Sequence, residues 1–529
     1  MNELTENIQP PDKYPVGIQT FSKIRKGHYL YVDKTRYIAR LLRGSYYFLS
    51  RPRRFGKSLL LSTLEAYFRG ERELFKGLYL DSAIDDWQPR PVLHLDLNTG
   101  SYDSPEGLIK SLEIHLSEWE KEFGVVNDKT VDYGPDLRFG RIIRTAFEKT
   151  GRKVAILVDE YDKPLLNVVN DEDLSDKLRK ILKSFYSNLK TMDRYIEFGM
   201  LTGVARFSKV SIFSDLNNLN DISFVDDYAG ICGITAEELD IYFKQGINDL
   251  SKALGIDPEA VRTQLKRLYD GYHFTEKSPD IYNPFSLMNV FDNKRFDAYW
   301  FDSGTPTYLI KLIERGHWKL QKLAPTEIQR SQLVTAGIQT ENPVPVCFQS
   351  GYLTIKDYDS VFKAYTLDYP NEEVKESFLS FLVPYFIEKK HDEANFSIKR
   401  FTIAIMRGDS KEFMELLDTM VAGVPYSEKG SSEAHFQNAI YLLFTLMGFY
   451  THTEIRTSDG RIDLLVETDM YVYIFEFKVD SSAKAAMEQI LKKKYWLPYS
   501  KRGKEIILVG ADFNSGERRL SGWIEERVI

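Results

Sequence analysis

The residues best suited to chemistry near the start of the chain are Arg51-Pro52-Arg53-Arg54-Phe55-Gly56-Lys57-Ser58. A loop ending in Gly-Lys-Ser at a helix N-terminus is built to hold phosphate, because free backbone N–H groups and the helix dipole point at the anion. Arg53, Arg54, Phe55 and Gly56 would line the loop, Lys57 would reach the terminal phosphates, and the Ser58 hydroxyl would ligate magnesium. The spacing departs from the usual phosphate-loop pattern at one position, where Arg51 stands in place of glycine. The bland alternative is a basic helix entry that merely solvates well. A second element separates the two readings. Lys153-Val154-Ala155-Ile156-Leu157-Val158 runs apolar into Asp159-Glu160, as a strand buried on both faces does. Adjacent carboxylates at such a strand end are costly unless they bind something. Asp159 would hold magnesium through water and Glu160 would polarise an attacking water, which is the chemistry of nucleotide hydrolysis.

A second constellation lies near the C-terminus. Glu476 and Lys478 are two residues apart in Tyr471–Lys478 and so share one strand face. Val472 and Ile474 continue that face, and Tyr473, Phe475 and Phe477 fill the other. Asp463 sits on the partner strand of a hairpin, close enough to converge with the pair. Asp463 and Glu476 offer hard oxygen ligands to magnesium or manganese. Such a metal would activate water and neutralise a scissile phosphate. Lys478 would orient the water or stabilise the transition state. The helix from Ser482 to Tyr495 carries Gln489, Lys492, Lys493 and Lys494, which could meet a phosphate backbone. The bland alternative is an exposed sheet face with one salt bridge, and a solvated lysine run.

The elements needed to hold these residues are legible. Tyr46–Leu49 reads as a strand before the loop. Leu60, Leu64, Tyr67 and Phe68 recur at helical spacing after it, and Gly70 supplies a stop. Tyr29–Val32 reads as a short strand leading into a helix capped near Asp33. Val92–Leu97 is a second strand, followed by helices over roughly 105–123 and 138–149. A helix over about 173–190 leads to a strand at Tyr195–Leu201, ending at Thr202-Gly203. Thr202 is a candidate for a polar contact near the terminal phosphate, and Arg206 for a positive charge beyond it. Strand–helix alternation across 46–232 predicts a doubly wound parallel sheet with ligands at the strand C-termini. From Thr235, with Glu238 three residues on, the pattern turns helical. His273 stands alone within it and reads as packed or exposed, not as a ligand. SGYLTIKDYD and VFKAYTLDYP predict strand pairs of a small winged-helix-like module. Residues 376–430 read as helical, and a helix begins at Glu433.

At 529 residues the chain calls for two to four domains. A net charge of -7 excludes global basicity, so any nucleic-acid contact must use local patches. Cys232 and Cys347 lack metal-ligand spacing and point to a reducing, cytoplasmic setting. No apolar run reaches membrane-spanning length. The polar, Pro-rich start MNELTENIQPPDKYP is unlike a signal peptide.

Residues 14 to about 235 resemble the AAA-ATPase-like family, through RPRRFGKSLLLSTLEAYF, ILVDEYDKPLL and LTGVARFSKVSIFSDLNNLNDIS. The resemblance makes arginine usual at the Arg51 position. Residues 431–499 resemble a PD-(D/E)XK nuclease superfamily domain, through GRIDLLVE, YIFEFKVD and AMEQILKKKYWLPY. It implies that Asp463, Glu476 and Lys478 are the nuclease core, with Gln489 and Tyr495 on the following helix and Glu433 on the leading one.

The expected fold is α/β: a P-loop NTPase parallel sheet over 1–234, a helical lid over 235–315, a winged-helix-like and helical connector over 316–430, and a restriction-endonuclease-like domain over 431–529. The expected activity is ATP-gated, metal-dependent cleavage of DNA in the cytoplasm of a bacterium, with ATP and Mg2+ as cofactors and Mn2+ as an alternative at the nuclease site. A role in defence or mobile-element biology is expected by analogy alone. The alternatives are a nucleotide-switched regulator that binds DNA or protein without cutting, and a domain turned to other phosphate chemistry. No membrane partner is expected. A homo-oligomer is in keeping with the rings that AAA-like ATPases often form, although no arginine finger stands out.

Overall fold

The computed structural model describes residues 13–126, 133–168, 171–205, 218–300, 309, 312–313, 318–335, 342–386, 391–422, 432–451, 455–457, 463–514, 516–517 and 519–528. They form two compact units: Met1–Leu312 with Pro325–Val374, and Ile313–Ala324 with Lys375–Ile529. Residues 316–430 therefore contribute to both.

The first unit is built on a sheet of β1 (Tyr46–Ser50), β2 (Val92–Asp96), β3 (Val154–Asp159), β4 (Ile196–Gly203) and β5 (Asn220–Asp221). Its order is β2-β3-β4-β1-β5 and every neighbouring pair is parallel. Parallel strands need crossovers, and the helices Lys57–Phe68, Pro105–Phe123, Pro135–Thr150 and Glu172–Tyr186 supply them. Leu93, Leu95, Ile156 and Val158 bury against Leu112, Leu116, Phe139, Leu182 and Phe185 of these helices. The register pairs Asp96 with Asp159, Val158 with Leu201, and Ser50 with Gly203. The phosphate loop, the carboxylate pair and Thr202 consequently share one edge of the sheet.

The expected lead-in strand is absent. Residues 29–32 have no ladder partner among the described residues, where a backbone bond joins Leu30 N–H to the Lys13 carbonyl. Leu30 and Val32 are instead drawn into the apolar cluster of the helical region. The next helix begins at Thr35, after Lys34, and Asp33 serves it by accepting from Thr35 N–H and Oγ1.

The helical region contains Ala236–Tyr242, Lys244–Leu254, Pro258–Tyr269 and Pro284–Asn293, with β6 (Ile234–Thr235) paired to β7 (Ile281–Tyr282). Thr235 and Glu238 form a complete capping box. β8 (Thr326–Gln329), β9 (Thr354–Asp359) and β10 (Ala364–Asp368) make an antiparallel sheet in the order β8-β10-β9, beside the helices Arg330–Thr335 and Pro343–Ser350. This is the winged-helix-like module, with β8 as a third strand beyond the two expected. His273 is packed against it, with Nδ1 2.9 Å from the Ile355 carbonyl and Nε2 2.9 Å from Asp280.

The second unit contains a sheet of β11 (Ile455–Thr457), β12 (Asp463–Glu467), β13 (Tyr471–Val479), β14 (Glu505–Asn514) and β15 (Arg519–Val528), in that order. Only β13 and β14 are parallel, and the helix Ala483–Lys493 makes their crossover. One face of β13 stacks Tyr473, Phe475 and Phe477 at 5.8 Å intervals. Phe413 and Phe444, from the helices Ser410–Ala422 and Ser432–Thr451, pack against Phe475. The other face buries Val472 and Ile474 against Met487 and Ile490. Among the described residues, no helix is long and apolar enough to cross a membrane.

Candidate functional sites

The first site is the loop between β1 and the helix Lys57–Phe68. Gly56 has φ +95°, a left-handed conformation that disfavours side chains. An added Cβ there would meet nothing within 4 Å, so dihedral, not crowding, calls for glycine. Arg54 is also left-handed, at φ +66°. Together the two bends bring the loop back onto the helix N-terminus.

Each loop side chain has a distinct environment. Arg51 is 1% exposed. Its guanidinium donates to the carbonyls of Ser50, Ser223 and Tyr228 and lies 4.2 Å from the Phe274 ring centroid. It thus fastens the end of β1 to the segment after β5. The Arg53 carbonyl accepts from Trp300 Nε1 at 3.4 Å. Arg54 lies over the Phe285 ring at 3.7 Å and donates to the Tyr299 carbonyl. The Phe55 ring is buried edge-on against Tyr272 and Phe274, so what it offers a ligand is backbone. Lys57 Nζ donates to the Arg51 and Pro52 carbonyls at 3.1 and 3.2 Å. The same ammonium is 3.7 Å from Glu160 Oε1. Ser58 is half-buried in the first helical turn.

The carboxylates at the end of β3 part company. Asp159 is 5% exposed, and its Oδ1 accepts from Thr202 Oγ1 at 2.7 Å and from Glu160 N–H at 3.1 Å. Thr202 reaches it because β4 lies beside β3. Glu160, at φ +51°, turns to face Lys57. Two adjacent acids are therefore held in different places.

Sequence reasoning passed over Asp162, three residues on. It is completely buried. Its Oδ2 accepts from the backbone N–H groups of Val204 at 2.9 Å and Ala205 at 2.5 Å. Oδ1 has no hydrogen-bond partner among the described residues. Burial, and next the charge of Glu160, push its carboxyl up to about 7. Tyr161 donates its hydroxyl to the Ala205 carbonyl. Tyr161 and Asp162 together pin the backbone just after Thr202. The only sequence signal was a further acid in the run Asp159-Glu160-Tyr161-Asp162, where a helix start would also place one. Arg206 lies outside the described residues.

The second site is on β12, β13 and the crossover helix. Register places Asp463 directly opposite Glu476. Glu476 is 1% exposed and its Oε1 accepts from Lys478 Nζ at 2.9 Å. Lys478 Nζ also donates to Gln489 Oε1 at 2.7 Å. Glu476, Lys478 and Gln489 therefore form one chain. Glu476 Oε2 and Gln489 Nε2 are buried and have no hydrogen-bond partner among the described residues. A buried carboxylate oxygen without a donor is costly, and with Asp463 opposite it suits a hard divalent cation.

The crossover helix comes this close because of Gly510. Gly510 pairs with Glu476 across β13 and β14. A Cβ on it would fall 2.6 Å from Met487 N and 2.8 Å from Ala483 O. Tyr495 is half-buried, its hydroxyl accepting from Lys493 at 2.6 Å. Glu433 lies on the helix Ser432–Thr451, but its side chain, like that of Asp463, is outside the described residues, as are Gly460–Ile462 of the GRIDLLVE motif.

Two family models match the chain. One, described as "Predicted AAA-ATPase", covers residues 15–213, and the other, the PD-(D/E)XK nuclease superfamily, covers residues 431–523. A protein of Azotobacter chroococcum mcd 1, described as "Uncharacterized protein in vnfD 5'region", is 35% identical over 528 residues, covering 97% of this chain and 99% of its own length. No solved structure matches. Both family matches fall where the motifs carry the corresponding resemblances.

Proposed function

This chain belongs to the family of predicted AAA-ATPases that carry a C-terminal PD-(D/E)XK nuclease superfamily domain, and from that premise we propose that it is an ATP-gated, metal-dependent DNA nuclease. The observation that carries the reading is the Glu476–Lys478–Gln489 chain, with Asp463 opposite Glu476 and one buried Glu476 oxygen lacking a donor. Asp463 and Glu476 would hold the divalent cation, Mg2+ or Mn2+. When bound it supplies charge neutralisation at the scissile phosphate and a water of lowered pKa. Lys478, held between Glu476 and Gln489, would orient that water or meet the charge developing on phosphate.

At the other site ATP would lie with its phosphates on the backbone N–H groups of the loop. Lys57 would exchange the Arg51 and Pro52 carbonyls for the terminal phosphates. Ser58 and Asp159 would hold Mg2+, and the Thr202 hydroxyl keeps the Asp159 carboxylate turned to one direction. Glu160 would polarise the attacking water. The domain boundaries of this reading are 1–234, 235–315, 316–430 and 431–529. Two free, buried thiols, Cys232 and Cys347, are in keeping with work in the cytoplasm.

The test is a cleavage assay on plasmid and single-stranded DNA with magnesium or manganese. We expect the wild-type chain to cut and Glu476→Ala to lose all cutting while still binding ATP. Equal cutting by the variant, or none by the wild type under any condition while ATP binds, would put the non-cutting regulator in its place.

A further inference from the structure

The motif AMEQILKKKYWLPY and the residues after it contain a surface that the metal site does not use. Between Lys492 and Lys504 the chain carries six cations (Lys492, Lys493, Lys494, Lys501, Arg502 and Lys504) and no acid, although the whole chain has net charge -7. A solvated face in such a protein intersperses the two signs.

The structure organises these charges. The segment leaves the helix Ala483–Lys493 through successive turns, with Leu497 N–H bonded to the Lys494 carbonyl, Tyr499 to Trp496, Ser500 to Leu497 and Arg502 to Tyr499. Lys494 and Lys501 are thereby kept on one compact coil. Tyr495, Trp496 and Tyr499 pack half-buried on the core and form its floor. Lys493 lies 5.2 Å from the Tyr495 ring centroid, and Arg502 lies 4.8 Å from that of Tyr499. Glu467 takes Arg502 at 2.6 Å and Lys504 at 2.9 Å, anchoring the far end of the coil. Lys492, Lys494 and Lys501 are exposed and have no ion pair among the described residues. The helix dipole accounts for cations in a last turn, but not for Lys501, which lies beyond the helix. The series begins beside the metal site. Lys492 and Lys493 follow Gln489 by three and four residues, on the same side of the helix and about 6 Å along its axis. That is roughly two phosphate steps of duplex DNA.

We infer that Lys492, Lys493, Lys494 and Lys501 form a track for the DNA backbone flanking the scissile phosphate, so that the substrate lies along the crossover helix. This rests on the nuclease reading and supplies what that reading lacks, a way for an acidic protein to hold a polyanion. The partner is a phosphodiester backbone read by charge, without base contacts.

The test is binding of the full chain to a fluorescent duplex without divalent metal, across a salt series. K492Q/K494Q/K501Q is compared with wild type and with K177Q/K180Q/K190Q, which removes the same charge from exposed sites of the first unit. Three lost phosphate contacts make the log affinity–log salt slope shallower by about 2.7. We expect that change in the first variant, and a wild-type slope in the second. Unchanged slope in the first, an equal change in both, or no binding by wild type overturns the track. Metal-dependent cutting that survives an overturned track leaves the nuclease reading standing.

Discussion

Asp162 is a single buried group tied to the backbone beside the candidate phosphate-loop site. Its folded pKa, near 7, stands above the ordinary 3.8, mainly through burial and then through the charge of Glu160. A carboxyl raised in this way is easiest to keep protonated in the native state. Its contribution to stability is full below pH about 4, falls as pH rises toward 7, and stays low above that. Asn in its place has no charge to bury. The stability of wild type minus that of Asp162→Asn, from urea midpoints, should therefore fall by an amount on the order of a few kcal/mol between pH 4 and pH 7. A difference flat across that range would contradict the assignment. At this scale the loop before the helix Lys57–Phe68 and the shared face of Glu476 and Lys478 were readable, because loop geometry and strand alternation constrain them locally. Asp162, and the structural use of Arg51, were not. Their partners, Val204, Ala205, Ser223 and Tyr228, are tens of residues away or more in sequence.

At the scale of elements, the nuclease-like site depends on a helix lying directly on a strand. Gly510 permits the contact, because a methyl there would meet the backbone of Met487 and Ala483 inside 3 Å. Neither backbone atom can step aside as a flexible side chain would. Gly510→Ala should destabilise the second unit by about 1–3 kcal/mol and weaken the Lys478–Gln489 bond, which thermal unfolding and metal-dependent cutting would both register. Unchanged melting and cutting would show that the helix can shift freely. The parallel sheet was legible, since buried runs such as Val154–Val158 have few alternatives. The hairpin of β12 and β13 was legible from its alternation. β8 was not, being four residues long and paired to a strand about 35 residues later. Tyr29–Val32 has a strand's composition but no neighbouring strand among the described residues, and Leu30 and Val32 pack into the helical cluster instead.

At the scale of the molecule, an AAA-ATPase-like domain and a PD-(D/E)XK nuclease superfamily domain share one chain. Each has its own sheet, and each lies in a separate compact unit. Lys57 touches the loop carbonyls and Glu160, so in the proposed mechanism a terminal phosphate that drew it away would also alter the partner of Glu160. That rearrangement, passed through the helical and winged-helix-like regions, is the proposed gate. Coupling between two sites in one protein is commonly 1–3 kcal/mol, or about 5–150-fold. The most direct measurement is the rate of metal-dependent plasmid cleavage with and without ATP, in wild type and in Lys57→Ala. The account predicts that ATP changes the wild-type rate by a factor in that range, and that Lys57→Ala cuts at one rate whether ATP is present or not. Wild-type cleavage indifferent to ATP, or an ATP response that survives Lys57→Ala, would contradict it.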